Sequence, residues 1–147
     1  RLNHALDFFR LHGSGEIYDT RHLEQIANLT AKVYSNMETR FYIPTKRADL
    51  LLLDKRGLQV LGDLGGIIRY STMYIDPSFE DVKYALQKVS PQKLVALTYN
   101  KKCPIEEYAR LGRVVICQAI LTGKTCTQLH CRACWSQEVP IIAYHLH

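Results

Sequence analysis

The 147-residue sequence contains no long run of apolar residues. Runs such as Leu50 to Leu53 extend four residues before a charge, far short of the roughly 20 residues that a membrane-spanning helix needs. Charged residues stand near the amino terminus, where a signal peptide would have an apolar core. These absences predict a protein without a membrane segment. The first residue is Arg1 and not Met, which suggests a fragment of a longer protein.

The motifs of several enzyme classes are also missing. No Gly-x-x-x-x-Gly-Lys-Ser/Thr loop is present to cradle phosphates. The deaminase pattern, His-x-Glu followed by Pro-Cys-x-x-Cys, is absent as well. Cys103 follows Lys101 and Lys102, which would lower its thiol pKa, but no histidine can be placed beside it from the sequence. The sequence therefore predicts a protein that is not an enzyme.

Composition is that of a soluble globular protein. Apolar residues make up 47% of the chain and charged residues 22%, which argues against disorder. The net charge is +5 and the pI about 9.0, a balance that favours acidic partners such as RNA.

Apolar periodicity predicts helices that alternate with strands. Helical spacing covers Leu2–Leu11, then about 20–37, Gly57–Tyr70 with a break at Gly65-Gly66, a helix after the N-cap Ser78, and one after Pro104. Strands are predicted at Phe41–Pro44, at the apolar run Ala48–Leu53, at Lys93–Tyr99, and at the closing stretch Val139–Leu146. The fold class is therefore α/β or α+β, with a small sheet and flanking helices.

Two parts are predicted within one compact unit. Residues 1–112 form a helical and α/β body, and residues 113–147 form a zinc-binding module with a closing strand.

Four of the five cysteines lie close together near the carboxyl terminus. Cys117, Cys126, Cys131 and Cys134 are separated by eight, four and two residues. Zn²⁺ takes four thiolate or imidazole ligands in a tetrahedron, and short loops between ligands limit the entropy lost on closure. Polar residues between these cysteines do not fit a core strand. The pattern predicts a structural Zn²⁺ site, which favours a reducing compartment, the cytoplasm or the nucleus.

This spacing resembles the CCCH zinc-finger family, whose ligands are three cysteines and a histidine. The stretch from Ile120 to Cys126, with Gly123 before the second cysteine, carries the likeness. The chain departs from the family at the fourth ligand, because Trp135 stands where the histidine is expected. Either Cys134 substitutes for it, or His145 or His147 completes the site.

The CCCH resemblance implies contact with single-stranded RNA. Its candidate RNA-binding residues are Lys124, Arg132, Trp135 and His130. The aromatic that many RNA-binding fingers carry between their last two ligands is missing here, and Trp135 fits equally well as a lid packed over the finger.

A second resemblance covers more of the chain. The order of Leu50–Lys55, a helix-like stretch to Tyr70 and a finger of this spacing is similar to the helicase-like and zinc-finger region of Yb-type Tudor proteins of the piRNA pathway. This resemblance implies a helicase lobe that has lost its chemistry.

The leading hypothesis is a non-catalytic, zinc-containing RNA-binding domain of a larger RNA-pathway protein. The alternative is a protein–protein interaction module, from a scaffold or viral accessory protein, in which zinc only staples the fold. Basic residues spread along the chain support this alternative.

Overall fold

A computed structural model describes residues 8–10, 16–34 and 40–146. The elements in chain order are β1 (Phe8–Arg10), α1 (Thr20–Tyr34), β2 (Arg40–Thr45), α2 (Ala48–Leu53), α3 (Lys55–Asp63), β3 (Ile67–Ile75), α4 (Phe79–Tyr84, continued by a π-helical turn, Ala85–Val89), β4 (Val95–Tyr99), α5 (Ile105–Tyr108), β5 (Val114–Ile116), α6 (Gln118–Thr122), a 3-10 turn (Ala133–Trp135) and β6 (Ile141–His145).

In the described residues, six parallel strands form one sheet in the order β1-β2-β3-β4-β6-β5. The predicted class, α/β or α+β with a small sheet and flanking helices, is confirmed. Parallel neighbours need a crossover, and helices occupy the connections between consecutive strands from β1 to β5. The last two strands, β5 and β6, pair with each other and β6 pairs with β4, so residues beyond 112 complete the sheet of the body.

Side chains alternate between the two faces of the sheet. One face, here called the helix-covered face, packs against the helices in a single apolar core. Its buried strand members are Phe41, Ile43, Ile68, Tyr70, Val95, Leu97, Tyr99, Ile141 and Ala143. The opposite face carries Tyr42, Ile67, Arg69 and Tyr144. Cys134 and Trp135 pack there against Tyr42, Ile67 and Leu94. We call it the cysteine-covered face.

Helix starts follow the predicted caps where a cap was predicted. Ser78 accepts a hydrogen bond from the Asp81 amide, and Asp81 accepts one from the Ser78 amide, which together make a capping box. Asp54, which was not predicted as a cap, starts α3 by accepting from the Gly57 amide at 2.9 Å.

Three element predictions were wrong, two of them only in part. Ala48–Leu53 is the helix α2 and not a strand, with Leu50 and Leu51 buried and Leu53 exposed. The helix predicted over Gly57–Tyr70 ends at Asp63, the predicted break at Gly65-Gly66 is confirmed, and β3 begins at Ile67. Residues 8–10 of the predicted first helix form β1, while 1–7 and 11 lie outside the described residues.

Gly66 explains why the chain turns at that point. A Cβ there would lie 2.5 Å from the Phe41 ring and 2.6 Å from the Leu61 carbonyl oxygen, so only glycine lets α3 meet β3 this closely. In the described part of the chain, no helix combines the length and apolar character needed to cross a membrane.

Candidate metal and nucleic-acid site

Cys117 is anchored to the sheet. It follows β5 directly, and its amide donates to the Ala143 carbonyl of β6 at 2.9 Å. Cys117 is also the N-cap of α6. Gly123, the C-cap of this helix, has the left-handed conformation, with φ 67°. The first predicted ligand therefore stands at a fixed point, and a glycine turn leads the chain back from it.

Cys126 and Cys131 are joined by a compact turn. The Cys131 amide donates to the Cys126 carbonyl at 2.9 Å, and Thr125 and Gln128 exchange hydrogen bonds just beside them. Burial raises the pKa of the Cys126 thiol, and the neighbouring thiols of Cys117 and Cys131 raise it further. These three thiols therefore lie near enough to act on one another electrostatically.

Cys134 lies on the cysteine-covered face of the sheet. Its Sγ is 3.1 Å from the Tyr144 hydroxyl, and the thiol is half-buried. Burial raises the pKa of Cys134, while the Tyr144 hydrogen bond and the charge of Arg69 oppose that rise. Cys117 and Cys126 act electrostatically on this thiol as well, so all four predicted ligands belong to one neighbourhood.

The thiols nevertheless do not form a complete metal-binding site. Within residues 8–10, 16–34 and 40–146, no group of three or more His, Cys, Asp or Glu side chains is arranged to hold a metal ion. All five cysteines are free thiols. A metal at this place would have to draw the sulfurs together, which couples binding to local folding.

The alternative ligands are placed differently. His145 lies at the end of β6 with its ring 5.1 Å from the Tyr99 ring in an edge-on contact. His130, predicted as an RNA-binding residue and not as a ligand, is exposed and has a positive φ of 49°, which fits a tight turn just before Cys131. His147 lies outside the described residues.

Three of the four predicted RNA-binding residues are exposed. Lys124, His130 and Arg132 project from the loops of the cysteine-rich segment, defined here as residues 117–138. Trp135 is half-buried and packs at 6.0 Å between ring centroids, tilted by 60°, against Tyr42. Because one side of the indole packs on Tyr42, this position favours the prediction that Trp135 is a lid and not an RNA-binding residue on that side.

Arg69 was not predicted as a site residue, yet it joins this segment to the sheet. It is fully buried, and its Nη1 donates to the carbonyls of Val139 at 2.8 Å, Pro140 at 3.1 Å and Val95 at 3.2 Å. Its Nη2 donates to the Ser136 carbonyl at 3.2 Å. Arg69 therefore holds the end of the cysteine-rich segment on the cysteine-covered face.

The charge of Arg69 has no carboxylate partner among the described residues. Burial lowers the pKa of the guanidinium, and the groups that oppose this are Tyr42, Tyr144 and Cys134. A basic residue inside the apolar stretch from Ile67 to Tyr70 was the signal in the sequence that could have found it.

Cys103 differs from the expectation for a reactive thiol. It is 5% exposed, and burial followed by the charge of Asp76 raises its pKa, whereas adjacent lysines were expected to lower it. Lys101 and Lys102 are exposed, so water and salt screen their charges from the Cys103 thiol. Asp76, at φ 53°, accepts from the Asn100 and Lys101 amides at 3.0 Å and shapes this loop.

Fold and site together define a parallel α/β domain with helices on one sheet face and a cysteine-rich segment on the other. The chain belongs to the Gene product 88 family, which matches residues 1–137 and so includes all four clustered cysteines. No curated protein and no solved structure is similar enough to match the chain.

Proposed function

We propose that the chain is a non-catalytic, zinc-containing domain of a larger protein and that it binds single-stranded RNA through its cysteine-rich segment. One observation carries the proposal. None of residues 117–138 is buried, yet the segment brings four half-buried thiols among exposed basic side chains.

A segment without buried residues gains little cohesion from the hydrophobic effect. A tetrahedral Zn²⁺ held by thiolates would supply that cohesion, and its binding free energy would be folding free energy for the segment. A Cβ added at Gly123 would meet no atom within 4 Å, so no neighbouring part of the described chain crowds the loop between Cys117 and Cys126 at this turn.

The charge of the segment favours a polyanion. Residues 117–137 contain Lys124 and Arg132 and no Asp or Glu. Phosphate contacts by such residues give sequence-independent affinity that falls with salt. The exposed His130 adds a ring on which a base can stack.

Metal analysis tests the first half of the proposal. We expect one Zn²⁺ per chain in the wild type and a strong loss in Cys126→Ser. Cys134→Ser, His145→Ala and His147→Ala identify the fourth ligand, because only the true ligand lowers the stoichiometry or affinity. A chain that takes up no zinc in any form contradicts this half.

RNA binding at two salt concentrations tests the second half. The double variant Lys124→Ala with Arg132→Ala should weaken binding and lower the slope of log affinity against log salt by roughly 1.4, about 0.7 for each phosphate contact. The matched control is Lys55→Ala with Arg56→Ala, which removes the same charge from the exposed surface of α3. No affinity for RNA at low salt, or an equal loss of RNA affinity in both double variants, would contradict the proposal.

A groove on the other side of the molecule supports the alternative, a zinc-stapled protein-interaction module. It has a volume of about 270 Å³ between α2, β3 and α4. Met73 and Tyr74 at its rim are 61% and 69% exposed, and Tyr84 is exposed as well. Exposed apolar patches of this kind mark interaction sites.

Nuclease treatment separates the two functions. A protein partner that survives nuclease and is lost in Tyr74→Ser, but not in the Lys124 and Arg132 double variant, would favour the alternative.

A further inference from the structure

A cavity of about 510 Å³ opens beside the amino end of β3, and neither the zinc site nor the groove uses it. Its described lining residues are Gly65, Ile67, Trp135, Ser136, Gln137 and Glu138. Four of these six residues belong to the end of the cysteine-rich segment, so the cavity lies next to the surface proposed to bind RNA.

The aromatic wall of the cavity is held in place before any ligand arrives. Trp135 closes a 3-10 turn whose amides donate to the Arg132 and Ala133 carbonyls, each at 3.1 Å. The indole packs against Tyr42, Ile67 and Leu94. Arg69 fixes the next residue by donating to the Ser136 carbonyl. A rigid ring loses little conformational entropy when a flat ligand stacks on it.

The charges around the cavity select which part of a nucleotide fits. Glu138 is the one charged side chain among the described lining residues, and no Lys or Arg is among them. A phosphate would be repelled here, whereas a carboxylate accepts hydrogen bonds from the amino group of a base. Gln137, exposed beside it, offers both a donor and an acceptor.

We propose that this cavity takes one unstacked nucleobase of the bound strand, with the base stacked on Trp135 and its exocyclic amino group donating to Glu138. This inference rests on the proposed RNA binding and names its base-reading subsite. Cytosine carries such an amino group and uracil does not, so the subsite prefers cytosine to uracil. Lys124 and Arg132 contact the phosphates outside the cavity.

Trp135 is the single tryptophan of the chain, so indole fluorescence reports on the surroundings of this one ring, the wall of the cavity included. We expect cytidine, a nucleoside without phosphate, to quench it saturably and at about five-fold lower concentration than uridine. Glu138→Gln should abolish that preference, while Glu80→Gln, an exposed carboxylate on α4, should leave it unchanged.

Anisotropy of labelled oligocytidine and oligouridine keeps the two proposals distinct. RNA binding without nucleoside quenching, or quenching that is equal for cytidine and uridine and insensitive to Glu138→Gln, overturns the subsite and leaves RNA binding intact. Saturable, cytidine-selective quenching without RNA affinity overturns the proposed function and leaves a nucleoside pocket.

Discussion

The two faces of the sheet are built on different principles. On the helix-covered face, alternate strand residues and helix residues form one continuous apolar core. On the cysteine-covered face, the buried apolar cluster is small and stands beside a buried guanidinium, two tyrosines and a thiol. Burial of apolar area stabilises the first face, whereas directional hydrogen bonds position the second.

This difference matters for function. A close-packed apolar face has little room for change, while a face held by a few polar contacts and exposed loops is free to bind a metal or a strand. The proposed zinc and RNA binding therefore lie on the cysteine-covered face and not on the face that packs the main apolar core.

The largest effect is expected for Leu61→Ala on the helix-covered face. Leu61 is fully buried in α3, so the cavity should lower the free energy of unfolding by about 2–5 kcal/mol. The matched control is Leu53→Ala on α2, 74% exposed, which should change it by less than about 0.5 kcal/mol. Denaturant unfolding measures both, and equal effects would contradict the assigned core.

A smaller effect is expected for Arg69→Met on the cysteine-covered face. The Ser136 and Val139 carbonyls lose their donor, which should cost about 2 kcal/mol. Arg56→Met on the exposed surface of α3 removes the same charge without a buried contact. Hydrogen exchange should show faster opening of residues 134–140 in the Arg69 variant only. Unchanged exchange there would mean that Arg69 does not hold the segment.

Alkaline pH should expose a further contribution from the helix-covered face. Burial raises the pKa of Tyr108 to about 12, and its hydroxyl donates to the Pro77 carbonyl. A raised folded pKa gives stability that is complete below the ordinary value of 10.0 and is lost as pH rises toward 12.

Tyr108→Phe tests this titration. The substitution should lower the free energy of unfolding by about 1 kcal/mol at pH 7, because the hydrogen bond is lost. The difference in unfolding free energy from the wild type should close between pH 10 and 12. Unfolding curves at several pH values measure the gap, and a constant gap would mean that Tyr108 does not titrate with folding.

The smallest effect on global unfolding is expected from a zinc chelator. If zinc holds only the cysteine-rich segment, chelation should speed amide exchange in residues 117–138 and leave β3 and β4 protected. Loss of protection throughout the sheet would show instead that the metal holds both faces.

Local patterns predicted much of the helix-covered face. Ser78 with acidic residues behind it marked the start of α4, and the alternation ending at Tyr99 marked β4. The Ala48–Leu53 run was misassigned because continuous apolar runs do not distinguish a buried strand from a short helix. The absence of β-branched residues and the helix propensity of leucine favoured the helix there.

The strand at Phe8–Arg10 could not be found from its own residues. It pairs in parallel with β2, more than 30 positions away, and that pairing overrides local spacing. The candidate site shows the same limit. Cysteine spacing predicted a cluster of four thiols, which stays a prediction, but it could not predict that Tyr144 and Arg69, from two different strands, would flank Cys134.

By itself, the sequence determined the α/β or α+β class, the Ser78 cap and the glycine break at Gly65-Gly66. These depend on residue type and short-range spacing, which act before the chain folds. Tertiary structure alone decided the sheet order, the burial of Arg69 and the cavity beside Trp135, because each requires residues brought together across the sheet from distant positions.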